Sequence, residues 1–362
     1  MVAPASPIDW ERALHLARAA TPPGPRATAP ERAALVVLLH DAAVDAPARV
    51  GGLTGLEREA RAVARSLDVR VVDRDAARRA AVDSVRRLVP AAAHAPGERT
   101  GGSADAGRAD APGRGRSAVS MALGAGRALG HRAGGTVGTR LAATEVAAAL
   151  GTVSTRLLGE VLPAVPDPVG APDGDGEEAA SASRILIVAP NVLALARRQD
   201  LDLADLARWV ALHETVHAVQ LAAAPWLAAH LVRATAEVVR AVTARDVAAA
   251  RERAAGLSAH LALLEGHAEA SLDGVGPEEI GSVHRLRAVV GPARSGALGD
   301  VLARLTSVRA KGAQHADGAD FVRAVLAGTG PAGLAAAWAA PENLPRPDEL
   351  EDPAAWEARV LR

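Results

Sequence analysis

The sequence predicts a mainly α, multihelical protein with at most a small β element just before one central helix. Three observations lead there. Alanine, leucine, valine and arginine dominate the 362 residues, and aromatic residues make up only 2% of them; alanine and leucine are among the residues most at ease in a helix. Apolar residues recur at three- and four-residue spacing in several long stretches. Ile185-Leu186-Ile187-Val188 is the best strand candidate.

Taken in order, Asp9 caps a first amphipathic helix that begins near Trp10 and ends before Pro22-Pro23-Gly24-Pro25. A second helix starts after Pro30 and carries Leu35, Leu38 and Leu39, and Gly51-Gly52 is expected to break it. Residues 57–67 and 74–89 read as two more helices, with Val69 to Val72 between them too short for a firm strand. Together residues 1–95 form an N-terminal helical lobe. Residues 96–118 are glycine, alanine, aspartate and arginine with almost nothing to bury, which makes them a linker. Arg99, Arg108, Arg114 and Arg116 lie in it without the aromatic partners that single-stranded RNA would need.

Residues 119–330 form the second region. Val119 to Leu162 reads as helix rich in small residues; Gly124-Ala125-Gly126 with Gly130 lacks the strand and the spacing of a dinucleotide loop. The loop from Pro163 to Ser183 carries Asp173, Asp175, Glu177 and Glu178 without the full ligand spacing of a calcium loop. The strand at 185–188 has two readings: an edge to which an extended peptide adds, or a short buried strand. Leu201 to Leu221 is a helix, capped by Asp202, with Asp205 in its first turn, Leu203, Leu206, Trp209, Val210 and Leu221 on a broad apolar face, and Pro225 just beyond its end. One or two long helices follow from Leu227 to Leu264, and Leu257 to Leu272 shows helical spacing of its own. Residues 296–328 give another helix pair. Residues 331–362 form a C-terminal arm, proline-rich from Pro341, held to the body through Trp338 and Trp356.

The central helix carries His213-Glu214-Thr215-Val216-His217. Histidines four apart on a helix point the same way, which puts two imidazoles on one divalent ion, while Glu214 between them can reach a water beside that ion. This is the arrangement of a zinc hydrolase, with Zn2+ as cofactor and Glu214 as general base. A third ligand is needed. Gln220 and Ala223 stand where a glycine and a third histidine would be, so a later carboxylate is expected. Leu264-Glu265-Gly266-His267-Ala268-Glu269 offers Glu265 and Glu269 on one helical face. Glu265 is expected as the ligand and Glu269 as the group that orients a ligand imidazole, with the two roles exchangeable; His267 is an alternative ligand. Gly266 costs about 1 kcal/mol in a helix interior, which close approach of another helix or of the metal would justify. His284, His315 and Arg287 are candidates to steady an oxyanion.

These residues resemble a known family. Trp209 to Gln220 with Pro225-Trp226-Leu227, together with Thr54-Gly55-Leu56, Val72-Asp73-Arg74, Leu157-Leu158-Gly159, Ala189-Pro190-Asn191, Leu264 to Glu269, Pro341-Glu342-Asn343-Leu344-Pro345, Asp352-Pro353, Trp356 and Arg359-Val360, are similar to the zincin-like metallopeptidase type 2 family. That bacterial group is found mainly in actinobacteria, and some members carry a label linking them to deazaflavin-coenzyme biosynthesis. The resemblance runs nearly end to end and implies a multihelical zincin-like metallohydrolase fold and hydrolysis without naming a substrate. The chain departs from the family's pattern in its aromatics. His315 follows Gln314 where the family has tyrosine, Glu160-Val161 follows Gly159 where an aromatic is usual, and no tryptophan follows Arg74.

Composition narrows the function further. The chain has no cysteine, so a metal must be held by histidine and carboxylate. The formal net charge of −1 gives no long-range pull on nucleic acid or an anionic membrane. No basic flank with an apolar core opens the sequence, and no apolar run reaches the roughly 18 residues of a membrane span, so a soluble, cytoplasmic protein is expected. The reading is a zinc-dependent metallopeptidase acting on a peptide or amide substrate, with neither nucleic acid nor membrane as partner and the oligomeric state left open. The alternative is a metal-stabilised helical scaffold that binds a partner and cuts nothing.

Overall fold

The computed structural model describes residues 9–83, 154–162, 183–290 and 316–362. The expected linker 96–118, most of the expected helix from Val119, the expected acidic loop at 173–178, the first part of the expected helix pair 296–328 and His315 lie outside these residues. The fold is mainly α with one small sheet, as the composition requires.

Helix α1 (Trp10–Ala20) starts where the Asp9 carboxylate accepts from the Arg12 N–H. Helix α2 (Ala29–Thr54) opens with a capping box, in which Thr28 and Glu31 satisfy each other's backbone N–H groups. Contrary to expectation, α2 runs through Gly51-Gly52 and ends only at Gly55, which adopts the left-handed conformation at φ 72° and donates to the Gly51 carbonyl. Gly51 serves packing instead: a Cβ there would sit 3.2 Å from Ala60 Cβ and Glu57 Cα, so its absence lets α3 (Glu57–Ser66) lie close.

A second correction concerns the sheet. Strand β1 (Asp68–Val72) is a true strand, and residues 159–162, expected to be helical, form β2 (Gly159–Leu162). β3 (Arg184–Val188) lies between them, parallel to β1 and antiparallel to β2. The run 185–188 is therefore a central strand. Ile185, Ile187 and Val188 are completely buried and Leu186 nearly so, which explains why it reads as continuously apolar rather than alternating. The edge on the β2 side belongs to Gly159–Leu162.

Chain segments far apart in sequence meet at Asn191, in the first turn of α4 (Ala189–Gln199). Its Nδ2 donates to the carbonyls of Ser154 (2.8 Å) and Leu157 (2.7 Å), and its Oδ1 accepts from Arg74 Nε (2.7 Å). Arg74 in turn donates to the Pro22 carbonyl at 2.7 Å. One buried amide thus fixes the approach to β2 and joins three of the motif segments singled out above.

Helix α5 (Leu203–Ala223) is the structural axis. Asp202 caps it by accepting from Asp205 N–H, and it stops just before Pro225. It is buried on nearly every side, and Leu206, Val210, Val216 and Val219 are completely enclosed. Its core takes in Leu39 and Val50 of α2, Val63 of α3 and Ile185 and Ile187 of β3. Of the N-terminal elements, α2, α3 and β1 share this core with α5 and β3, whereas Trp10 and Ala17 of α1 pack with Val82 in a small cluster of their own.

Helix α6 (Leu227–Ala244) leads into α7 (Val247–Ser271), capped by Asp246, and α8 (Val283–Val290) follows. α9 (Ala316–Ala335) is interrupted at Gly330. A second core gathers Leu263 of α7, Phe321 and Val325 of α9, Trp338 and Trp356. Trp356, on α10 (Pro353–Val360), donates to the Asn343 carbonyl at 2.8 Å and meets Phe321 edge to face at 5.6 Å. Arg359 closes the arm on Glu349 at 2.6 Å.

α7 lies between the two cores, with Ala268, and Leu272 just past its end, in the first and Leu263 and Leu264 in the second. Gly266 is explained by the crossing of α7 and α9: a Cβ on it would overlap the carbonyl of Gly318, and one on Gly318 would overlap the carbonyl of Ala262. No single helix among the described residues is long and apolar enough to cross a membrane.

Candidate metal centre

His213 and His217 lie one turn apart on α5, with ring centroids 4.8 Å apart and planes at 82°. Their Nε2 atoms are 3.1 Å from each other. Glu265, delivered by α7, places Oε2 at 3.5 Å from His213 Nε2 and Oε1 at 3.7 Å from His217 Nε2. Donor atoms on a tetrahedral zinc, bound at about 2.0–2.1 Å, stand roughly 3.3 Å from one another. The three side chains therefore suit one divalent ion in number and chemistry, and one ligand atom from each lies within 4.8 Å of the others, a group that can hold a metal. The side chain of His213 is 6% exposed and that of Glu265 39%, so the group opens to solvent on the Glu265 side.

Glu214 is buried, 2% exposed, beneath the edge strand. A Cβ on Gly159 would lie 2.6 Å from Glu214 Cγ and 2.8 Å from its Oε1. The glycine at the start of β2 is thus the seat of this carboxylate. Beside it, Glu160 has its carboxyl pushed up to about 7, first by burial and then by the charge of Glu214.

The support for His217 differs from the sequence expectation. Its Nδ1 lies 2.9 Å from Gln220 Oε1. Gln220 Nε2 donates to the Leu264 carbonyl at 2.9 Å and lies 3.0 Å from His267 Nδ1. His267 is buried against Trp338, with centroids 5.2 Å apart, and burial, with the charge of nearby His217 a lesser cause, pulls its pKa down to about 3. His267 thus stands behind Gln220 and outside the group His213, His217 and Glu265. Glu269 does not orient a ligand imidazole: it is exposed on α7, and its Oε1 accepts from Arg323 Nη2 at 3.3 Å, in a surface network with Asp273 and Asp320.

Of the oxyanion candidates, neither Arg287 nor His284 comes to the site. Arg287 Nη2 donates to the carbonyls of Leu272 (2.9 Å), Asp273 (3.1 Å) and Val275 (2.8 Å), which closes the end of α7. His284 is exposed on α8. The start of α8 is tied to the first turn of α5, because Ser282 N and Oγ both donate to Asp205 Oδ2 at 2.8 Å. His213 lies eight residues further along that helix, a rise of about 12 Å.

Two supporting residues, Gln220 and Gly159, have no role in the sequence reading, and only the first leaves a signal there. Gln220 is three residues after His217, the spacing at which side chains on a helix meet. Gly159 carries no such signal, since nothing local says what lies beneath it.

A sequence model of the zincin-like metallopeptidase family matches residues 8–256 and 241–356 of the chain. The chain belongs to this family. The two matched segments together span both cores and all four residues of the candidate centre, so the zincin-like assignment covers the described fold as a whole. No curated protein matches the chain. Among solved structures, a candidate hydrolase with a novel fold from Chloroflexus aurantiacus is similar to it at a TM-score of 0.66 and 20% identity, over 98% of this chain and 99% of that one. At that identity the likeness concerns the fold alone.

Proposed function

We propose that this zincin-like chain is a zinc-dependent peptidase. The observation that carries the reading is the convergence of His213, His217 and Glu265 on one site, with Glu214 next to His213 in the same helix. When bound there, the ion supplies a Lewis acid for a scissile carbonyl and acidifies water toward a pKa of about 7. Glu214 takes the proton of the attacking water and returns it to the leaving nitrogen. Its burial beneath Gly159 holds the carboxylate in one place and keeps bulk water from competing for it. The chain has no tyrosine, so no tyrosine hydroxyl takes part.

The extended backbone of a peptide suits the β2 edge. Among the described residues β2 pairs only with β3, and its first residue, Gly159, lies over Glu214, so its outer edge is where an added strand would run closest to that carboxylate. A net charge of −1 gives nucleic acid and anionic membrane no comparable attraction.

The test is a screen of zinc-loaded protein against peptide and amide libraries. Cleavage that a chelator abolishes and zinc restores is expected; zinc bound with no cleavage of any library would favour the non-catalytic scaffold instead. With a cleaved substrate in hand, Gly159→Ala should lower kcat by about 100-fold or more, because the added methyl displaces Glu214. Zinc content should stay unchanged, and full activity would mean that Glu214 does not need this seat.

A further inference from the structure

We propose that Gln220 is a positioning residue for the metal centre: it decides which nitrogen of His217 faces the ion and ties the helix of the third ligand to that of the first two. The proposal rests on reading His213, His217 and Glu265 as the ligands.

A glutamine amide has one accepting oxygen and two N–H donors. The Leu264 carbonyl can only accept, so the atom facing it at 2.9 Å must be Nε2. That orientation aims Oε1 at His217 Nδ1, 2.9 Å away. An amide oxygen cannot donate, so Nδ1 carries the hydrogen of neutral His217. Its Nε2 is left with a bare lone pair, turned toward His213 Nε2 and Glu265. The second N–H of Gln220 goes to His267 Nδ1 at 3.0 Å. Every polar atom of the amide is thereby used.

Three features give this bond chain its strength. Gln220 is 1% exposed and His267 2%, so water offers neither a substitute partner. His267 is wedged against Trp338, which fixes the far end. The chain crosses from α5 to α7 at Leu264, one residue before Glu265, so the carboxylate's backbone is registered to the imidazoles through protein contacts alone. The partner of His217 is also neutral. A carboxylate in that place would add negative charge behind the ligand and weaken the ion as a Lewis acid, where Glu265 and Glu214 already contribute two acids.

Two measurements test this. The first is a long-range proton–nitrogen correlation spectrum of metal-free, histidine-labelled protein. His217 is expected as the Nδ1–H tautomer, and an Nε2–H tautomer would overturn the proposal. The second is zinc affinity by competition with a chelating dye. Gln220→Leu is expected to bind zinc about 10- to 100-fold more weakly. Gln220→Glu, which keeps an acceptor at Nδ1, should lose less. Zinc affinity equal to that of the unaltered protein in Gln220→Leu, with only its melting temperature lowered, would reduce Gln220 to a packing residue and overturn the proposal. Should Gln220→Leu not fold, the tautomer of the unaltered protein decides. If the unaltered protein binds no zinc, this proposal and the peptidase reading fall together. If it binds zinc but cleaves nothing, only the peptidase reading falls, and tautomer and affinity still decide the role of Gln220.

Discussion

Glu214→Gln should abolish turnover and leave zinc in place. The substitution keeps the size and shape of the side chain, so it fits the same space beneath Gly159. It removes only the ability to accept a proton. Positioned acid–base groups contribute about 100- to 10,000-fold, and a loss of kcat in that range is expected with metal content unchanged. Steady-state kinetics on a cleaved peptide, paired with metal analysis of the same sample, checks both halves. Turnover close to that of the unaltered protein would show that the proton goes elsewhere.

The second large effect concerns stability and comes from one glycine. Gly266→Ala adds a methyl where the backbone of Gly318 already stands. Alanine gains about 1 kcal/mol of helix propensity over glycine. Overpacking a tight contact costs about 1–3 kcal/mol and sometimes more, and because backbone meets backbone here, neither side can yield by turning a side chain. At the upper end of that cost a net loss of about 2 kcal/mol is expected, which for a chain of 362 residues lowers the melting temperature by roughly 3 °C. Gly256 supplies the contrast within the same helix. A Cβ there meets nothing within 4 Å, so Gly256→Ala should raise stability by up to about 1 kcal/mol. Thermal unfolding of both variants without metal tests the pair. If Gly266→Ala melted no lower than the unaltered protein, α7 and α9 could not cross as described.

The contrast between these two glycines illustrates what sequence can say. Helical periodicity located α5 and α7, because each must bury a face at 3.6-residue spacing, and the two histidines of α5 could be placed on one side from spacing alone. Glu265 was narrowed to one of two carboxylates on a shared face; choosing between them depends on Arg323, which arrives from α9 and engages Glu269. The sheet was harder to read. Ile185–Val188 stood out as a buried run, but its central place depends on β1 and on a four-residue β2 whose Gly-Glu-Val-Leu has no strand signature by itself. The long-range amide of Asn191, the seat formed by Gly159 and the crossing at Gly318 are all contacts between distant segments, and local propensity carries no trace of them. Gln220 lies within the legible range, three residues from His217, yet its meaning appears only when Leu264 and His267 are set against it.

The proposed function requires one ion shared by two imidazoles and one carboxylate. Zinc-edge X-ray absorption on protein loaded to saturation, with metal content measured on the same sample, tests that most directly. About one zinc per chain is predicted, with two imidazoles and otherwise only oxygen in its coordination shell, and Glu265→Ala should lower the occupancy. Zinc bound without the scattering pattern of two imidazoles, or occupancy unchanged in both His213→Ala and Glu265→Ala, would contradict it.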